Sequence, residues 1–319
     1  MRGTKADTRG GTDTMRTTTA RRMGTALAVA AALTSMAACS GSGGTGGSDG
    51  SGKAEAGSAA GKASPVAALK QVQQKTGGIR SAKVDGTIEM GDTVSMKQSG
   101  AIDWADGLTG EMSITYTGGA MGEALKKSGG DGSMKARYFK DEYYANMGAA
   151  MAANTGGKNW IQYSYKDLAE LGGASGEVMQ DQARNSTPEQ GVKALLASGD
   201  VKKVGQEDVR GVSATHYSGT VDVAELTAKN SELDEKQLAE FKEQLALAGV
   251  TTQTVDIWVD ENDLLVKKAE RGEMKTGAFN STFFYSDYGT QVSVEKPAAS
   301  DTVDFTELLK QGGTPGGTS

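Results

Sequence analysis

One cysteine and one histidine occur among the 319 residues. They carry the most reactive side-chain chemistry in the chain. Cys39 ends the run Met36-Ala37-Ala38-Cys39. A thiol in that setting can accept a diacylglycerol through a thioether, and cleavage before it would leave Cys39 as the first mature residue. The residues upstream agree. Arg16, Arg21 and Arg22 form a charged region, and an apolar run from Met23 to Ser35 follows, which together make an export signal. Met-Ala-Ala-Cys resembles a bacterial lipobox. With no second cysteine, no internal disulfide competes for the thiol. The competing reading is a soluble secreted protein with a chance cysteine, and the position of Cys39 at the end of the apolar run argues against it. Arg21-Arg22 raises the twin-arginine route, but Met23-Gly24-Thr25 fits that motif poorly, so the general secretory route is expected. Met15 sets the arginines at the usual distance from the N-terminus and is the better start than Met1.

His216 offers less. Ser218, Thr220 and Asp222 share its parity, while Tyr217, Val221 and Val223 take the other, so a solvent-facing strand histidine is expected. A Cys-His pair or a zinc cluster is not available once Cys39 is committed to lipid. Asp260-Glu261-Asn262-Asp263 lacks the glycine at the sixth position and the distal glutamate of a calcium loop, and between two strand-like runs it reads as a turn. Gly41-Ser-Gly43-Gly-Thr-Gly46 matches a dinucleotide pattern by letters but has no preceding strand or following helix. Asn185-Ser-Thr187 and Asn280-Ser-Thr282 match glycosylation acceptors by chance. A hydrolase would need a nucleophile and base that the chain does not supply. No enzyme activity, cofactor or metal is expected.

Charge narrows the partners. Residues 1–38 hold six of the 34 basic residues and two of the 40 acidic ones, so the mature chain carries 28 against 38, a net of −10. A nucleic-acid partner would want a basic stripe. Adhesion to anionic lipid by charge is excluded as well, and acyl chains must do the anchoring. Residues 40–64 are almost wholly Gly, Ser, Ala and Lys, a flexible coil with an end-to-end distance of about 25–30 Å. No segment after the signal is long and apolar enough to span a bilayer. The expected organisation is a signal at 1–38, a lipidated cysteine and linker at 39–64, one domain at 65–310 and a disordered tail at 311–319.

Elements follow from period and punctuation. Ser64, Pro65 and Gly77 bracket a first helix with Val66, Leu69 and Val72 on one side. The period then changes to two: Val84, Ile88 and Met90; Val94, Met96, Ile102 and Trp104; Leu108, Met112, Ile114 and Tyr116. Turns at Gly91-Asp92 and Asp106-Gly107 make these an antiparallel meander. A Gly-rich excursion is expected from Met121 to Gly132. Strands follow at Met134–Lys140, Glu142–Met147 and Trp160–Tyr163, then a short helix at Lys166–Leu171. Thr187, Pro188 and Gln190 open a second substantial helix that Gly199 closes. Strands at Val201–Val209 and Val212–Val223 precede a third helix at Glu232–Ala248, striped by Leu238, Phe241 and Leu245. Three strands close the chain: Thr252–Asp260, Leu264–Arg271 and Phe279–Tyr288. About eleven strands with three substantial helices make an α+β fold. Three helices cannot cover so large a flat sheet, so the antiparallel sheet must curl around them into an unclosed half-barrel. Val84, Ile88, Met90, Met96, Ile102, Trp104, Met112 and Ile114 then face the concave side, where an apolar space is a default ligand site. Methionine suits surfaces that accept varied apolar partners, but ordinary core filling explains Met90, Met96 and Met112 at least as well, and an interior packed solid is the alternative to a hollow one.

The C-terminal third adds a resemblance. Val255-Asp-Ile-Trp258-Val-Asp260-Glu-Asn-Asp263-Leu-Leu, Phe283-Phe-Tyr-Ser-Asp287-Tyr-Gly289, Val292-Ser-Val294-Glu-Lys-Pro297 and Asp301-Thr-Val-Asp304 resemble the closing segments of the LppX/LprG group of lipoproteins. That group belongs to the LolA-like lipoprotein-carrier superfamily. The chain departs from it in the Gly-rich stretch from Gly118 to Gly132. The resemblance implies a half-barrel with helices plugging the mouth, no catalytic residues, and binding of acylated lipids or lipidated molecules that are moved away from the inner membrane. The expected protein is a monomer held on the outer face of the cell membrane by its lipid anchor, with an acyl lipid as ligand. The alternative is an envelope sensor or interaction module on the same fold, with a protein partner.

Overall fold

Where the apolar period is 3.6 and a proline follows a serine, the backbone coils. In the computed structural model, which describes residues 64–146, 148, 152–171, 187–230 and 235–310, helix α1 (Pro65–Gly77) starts under Ser64. The Ser64 hydroxyl accepts the Ala67 N–H at 3.2 Å. Leu69 and Val72 are its buried apolar residues. The signal, Cys39, the linker, Asn185 and the tail from 311 lie outside the described residues.

Where the period is two, the backbone extends. β1 (Ser81–Met90), β2 (Val94–Asp103) and β3 (Thr109–Gly118) form the expected meander. The Gly-rich stretch that follows is a helix, α2 (Gly119–Lys127), rather than an irregular excursion. Gly119 takes φ +77°, a conformation that L side chains rarely adopt. The Asp92 and Thr93 carbonyls of the β1–β2 turn then accept the Ala120 and Met121 N–H groups. Tertiary contact satisfies the helix N-terminus, a feature invisible to composition.

The chain continues through β4 (Ser133–Tyr138), β5 (Glu142–Asn146), β6 (Trp160–Ser164) and a helix α3 at 165–171. Helix α4 (Pro188–Ala197) has Thr187 at its N-cap position, but the Thr187 hydroxyl makes no capping bond; the Thr187 carbonyl accepts the Gln190 N–H instead. β7 (Lys202–Val209) and β8 (Val212–Asp222) form a hairpin over Arg210-Gly211. The eighth strand stops one residue short of Val223 because Asp222 caps a helix, accepting the Glu225 N–H at 2.7 Å. That helix, α5 (Val223–Asn230), precedes α6 (Glu235–Ala248). Phe241 and Leu245 of α6 pack on Val223. β9 (Thr252–Val259), β10 (Leu265–Met274) and β11 (Gly277–Ser286) follow, then β12 (Thr302–Asp304) and α7 (Phe305–Lys310).

Among the described residues, twelve strands form one sheet in the order β12-β6-β5-β4-β3-β2-β1-β11-β10-β9-β8-β7. The count of eleven is corrected by β12, three residues too short to show alternation, which pairs parallel to β6. Every other pairing is antiparallel, and β1 against β11 joins the two halves of the chain. β12 and β7 are the two edges of the sheet, so the sheet is an unclosed half-barrel of α+β class. Leu69 and Val72 of α1 and Val192, Ala194 and Leu195 of α4 are buried with Val84, Met112, Tyr217, Val221, Val255 and Ile257 in one core cluster. This helix-bearing side is the inner face. Seven helices surround the sheet among the described residues: the three substantial ones, the short one expected at Lys166–Leu171, and α2, α5 and α7 in addition.

Candidate functional site on the inner face

Register places the side chains of the inner face. The rung Ala82–Ile102–Gly110–Tyr138–Tyr143–Tyr163 lies beside Val84–Gly100–Met112–Ala136–Ala145–Ile161. Next come Gly86–Gln98–Ile114–Met134 and Ile88–Met96–Tyr116. The eight residues singled out by parity all stand on this face. Val84, Met90, Ile102, Met112 and Ile114 are buried within core clusters, whereas Ile88, Met96 and Trp104 are half-buried against them. The Trp104 indole N–H donates to the Ile79 carbonyl at 2.9 Å. Tyr116, Met134, Tyr138 and Phe283 are half-buried beside these three. Partly exposed apolar side chains therefore stand on the inner face on either side of the buried rung Val84–Met112–Ala136.

Two features of the same face were not read from the sequence. The first is aromatic. Tyr143 stacks on Tyr138 with centroids 5.9 Å apart and on Tyr163 at 4.7 Å with the rings 6° from parallel; Phe305 of α7 continues the stack at 4.7 Å. Burial, with the neighbouring phenol of Tyr116 adding to it, pushes the Tyr138 and Tyr163 hydroxyls up to about 12. Burial and four neighbouring phenols hold Tyr143 well above the ordinary tyrosine range. At neutral pH these groups are uncharged donors. The visible signal was Tyr143-Tyr144-Ala145, but adjacent strand residues point to opposite faces, so only register shows which tyrosine turns inward.

The second is an ion pair. Lys268 and Glu270 sit opposite Ile257 and Val255, on the inner face, with side chains only 5% and 3% exposed. Their N···O distance is 3.1 Å, and the Ser281 hydroxyl donates to the other Glu270 oxygen at 2.9 Å. Helix α4 lies directly on the lysine stem: a Cβ at Gly191 would come within 2.6 Å of Lys268 Cδ. In the sequence, Lys267-Lys268-Ala-Glu270-Arg271 has the composition of an exposed strand.

His216 corrects an expectation. It does lie on the outer face, yet it is only 9% exposed. Trp258 stacks on it at 4.2 Å, and its two ring nitrogens stand 2.8 Å from Glu207 Oε1 and Asp256 Oδ1. The Trp258 indole N–H donates to Glu207 Oε2, and Arg271 to Asp256 Oδ2. Side chains from β7, β9 and β10 roof the imidazole, so parity alone could not report its exposure. A carboxylate therefore stands against each ring nitrogen. The Asp260 carboxylate is occupied by its own turn, accepting the Asn262 and Leu264 N–H groups at 2.9 and 2.8 Å. Asn280 stands within β11. A polar cleft of about 410 Å³ opens elsewhere, near Phe139, Val292 and Lys296. The ion pair Lys140–Asp106 stands in its wall, and it is separate from the inner face. No helix among the described residues is long and apolar enough to cross a membrane.

No protein-family model matches the chain. It is 84% identical over 259 residues to an uncharacterized 31.2 kDa protein of the rplA-rplJ intergenic region of Streptomyces griseus, covering 81% of this chain and 85% of that one. It is 45% identical over 247 residues to the candidate lipoprotein SCO4650 of Streptomyces coelicolor, covering 77% of each. Among solved structures, the lipoprotein LppX of Mycobacterium tuberculosis is similar over 74% of this chain and all of LppX, at 14% identity and a TM-score of 0.46. By identity and coverage, the chain belongs to the same family as the Streptomyces griseus and Streptomyces coelicolor proteins.

Proposed function

We propose that this protein is a lipoprotein, anchored through Cys39 on the outer face of the cell membrane, that holds an acyl lipid or lipidated molecule on its inner face and carries it within the envelope. The half-buried side chains of Ile88, Met96, Trp104, Tyr116, Met134 and Phe283 carry this reading. Apolar side chains that their own fold leaves partly uncovered gain from covering by an acyl chain. Each methylene removed from water contributes about 0.8 kcal/mol, so two chains bind strongly with no covalent step. The family relationship to a candidate lipoprotein supports the anchor. The linker at 40–63 would let the domain work clear of the headgroups while staying near the membrane.

Native mass spectrometry of the protein purified from its own membranes tests the ligand. A bound acyl species supports the carrier. A lipid-free protein in stable complex with another protein favours a sensor or interaction module instead. For the anchor, Cys39→Ala should release the protein from the membrane fraction or leave an uncleaved precursor. A mutant that stays membrane-bound and fully processed places the anchor elsewhere.

A further inference from the structure

The open part of the inner face is not uniformly apolar. It ends in phenols. Tyr138, Tyr143 and Tyr163 occupy one rung across β4, β5 and β6, with parallel rings. Tyr116 stands on the rung of Met96 and Ile88 and lies close enough to raise the other three hydroxyls electrostatically. The phenols of Tyr138, Tyr143 and Tyr163 therefore stand together in one stack, and Tyr116 stands three rungs away along the same face. Among the described residues, the hydroxyls of Tyr116, Tyr138, Tyr143 and Tyr163 have no hydrogen-bond partner. None of the four oxygens is both shut off from solvent and unpaired, so water reaches them in the free protein, and donors grouped beside apolar side chains suit a ligand that brings acceptors.

The charge of that ligand follows from what surrounds the phenols. The inner-face positions of β3 to β6 are Gly110, Met112, Ile114, Tyr116, Met134, Ala136, Tyr138, Tyr143, Ala145, Ile161 and Tyr163, with no cation among them. Lys135 and Arg137 alternate to the outer face, where Arg137 pairs with Glu111 at 2.6 Å. Lys268 of the inner face is held by Glu270. An anionic head entering here would lose its hydration with no countercharge to replace it, a cost that a neutral acceptor avoids.

We propose that these four phenols form the polar end of the lipid seat and select acyl ligands whose head presents uncharged hydrogen-bond acceptors, such as an ester carbonyl, over those ending in a free carboxylate. This rests on the reading of the inner face as a lipid seat. The acyl chain lies along Ile88, Met96 and Met134, and the ester oxygens meet the tyrosine oxygens.

The test compares three probes on the processed protein: monopalmitoylglycerol, palmitate at pH 8, and the uncharged apolar dye N-phenyl-1-naphthylamine. The wild type should bind monopalmitoylglycerol at least tenfold tighter than palmitate. The triple variant Tyr138→Phe, Tyr143→Phe, Tyr163→Phe keeps the stacked rings and removes three hydroxyls. It should weaken monopalmitoylglycerol binding by roughly tenfold or more, since each neutral hydrogen bond is worth a factor of a few, and leave dye binding unchanged. Tyr143→Phe alone, checked by circular dichroism, should show a smaller loss of the same kind and stands in if the triple variant does not fold. Equal affinity for ester and carboxylate in the wild type, or a preference that survives in the phenylalanine variants, overturns the phenol selectivity while the seat stands. Failure of the wild type to bind any of the three probes overturns the lipid seat itself.

Discussion

Two sets of positions on the inner face come from the same alternating strands, yet one is core and the other stays partly exposed. Beneath α1 and α4, Leu69, Val192, Leu195, Ile257 and Leu265 have 0% exposure. Over β1 to β4, Ile88, Met96, Tyr116, Met134 and Tyr138 stay half-buried. The covering decides the difference. α1 and α4 pack on each other, and α4 lies over β8, β9 and β10, while the nine-residue α2 lies against β2 and β3. Polar groups divide the same way. The covered set includes Lys268 and Glu270 only as a hydrogen-bonded pair, whereas the open set leaves its phenols free to take a partner.

Breaking the buried pair should give the largest effect. Glu270→Ala strands the Lys268 ammonium and should cost about 3–5 kcal/mol in urea unfolding. Pairing it with Lys268→Met should restore most of that loss, and a double variant as unstable as the single one would show that packing, not charge, is at issue. Next, Leu195→Ala in the covered set should cost about 2–5 kcal/mol while acyl-probe affinity stays near wild type. Met96→Ala in the open set should cost clearly less and weaken the probe. A reversed order of stabilities would erase the distinction between the sets.

Enlargement sharpens the same contrast. Val84 is buried, so Val84→Trp should overpack its site and cost about 1–3 kcal/mol. Ile88→Trp extends into half-open space, should cost less than Leu195→Ala, and should block the acyl probe. Equal destabilisation by the two would mean that the inner face is solid throughout. The last effect appears only at alkaline pH. The folded Tyr138 and Tyr163 hydroxyls titrate near 12 against an ordinary 10.0. Between those values the unfolded chain has released protons that the folded chain retains, so stability is full below pH 10 and falls as pH rises toward 12. Tyr138→Phe with Tyr163→Phe should flatten that fall in pH-dependent melting curves.

Local signals were sufficient wherever an element is stabilised by its own residues. Ser64-Pro65 set the start of α1, Pro188 the start of α4, and alternation set the meander and the hairpins of β7 to β11. Parity also placed Val84, Ile88, Met90, Met96, Ile102, Trp104, Met112 and Ile114 on one face, because the strand period of two is a property of the backbone. One missed element was legible: Asp222-x-x-Glu225 is a capping signature ahead of α5.

The remainder depends on partners distant in sequence. α2 forms because turn carbonyls from Asp92 and Thr93 meet its first N–H groups. β12 exists because the chain returns to the edge strand β6. His216 is covered by β7, β9 and β10, and Tyr143 turns inward rather than Tyr144 because of its register with Tyr138 and Tyr163. Alternation determined which residues share a face. Helix placement and register, set by contacts across the whole chain, decided which of those residues became core, which remained open, and which polar groups were left without a partner.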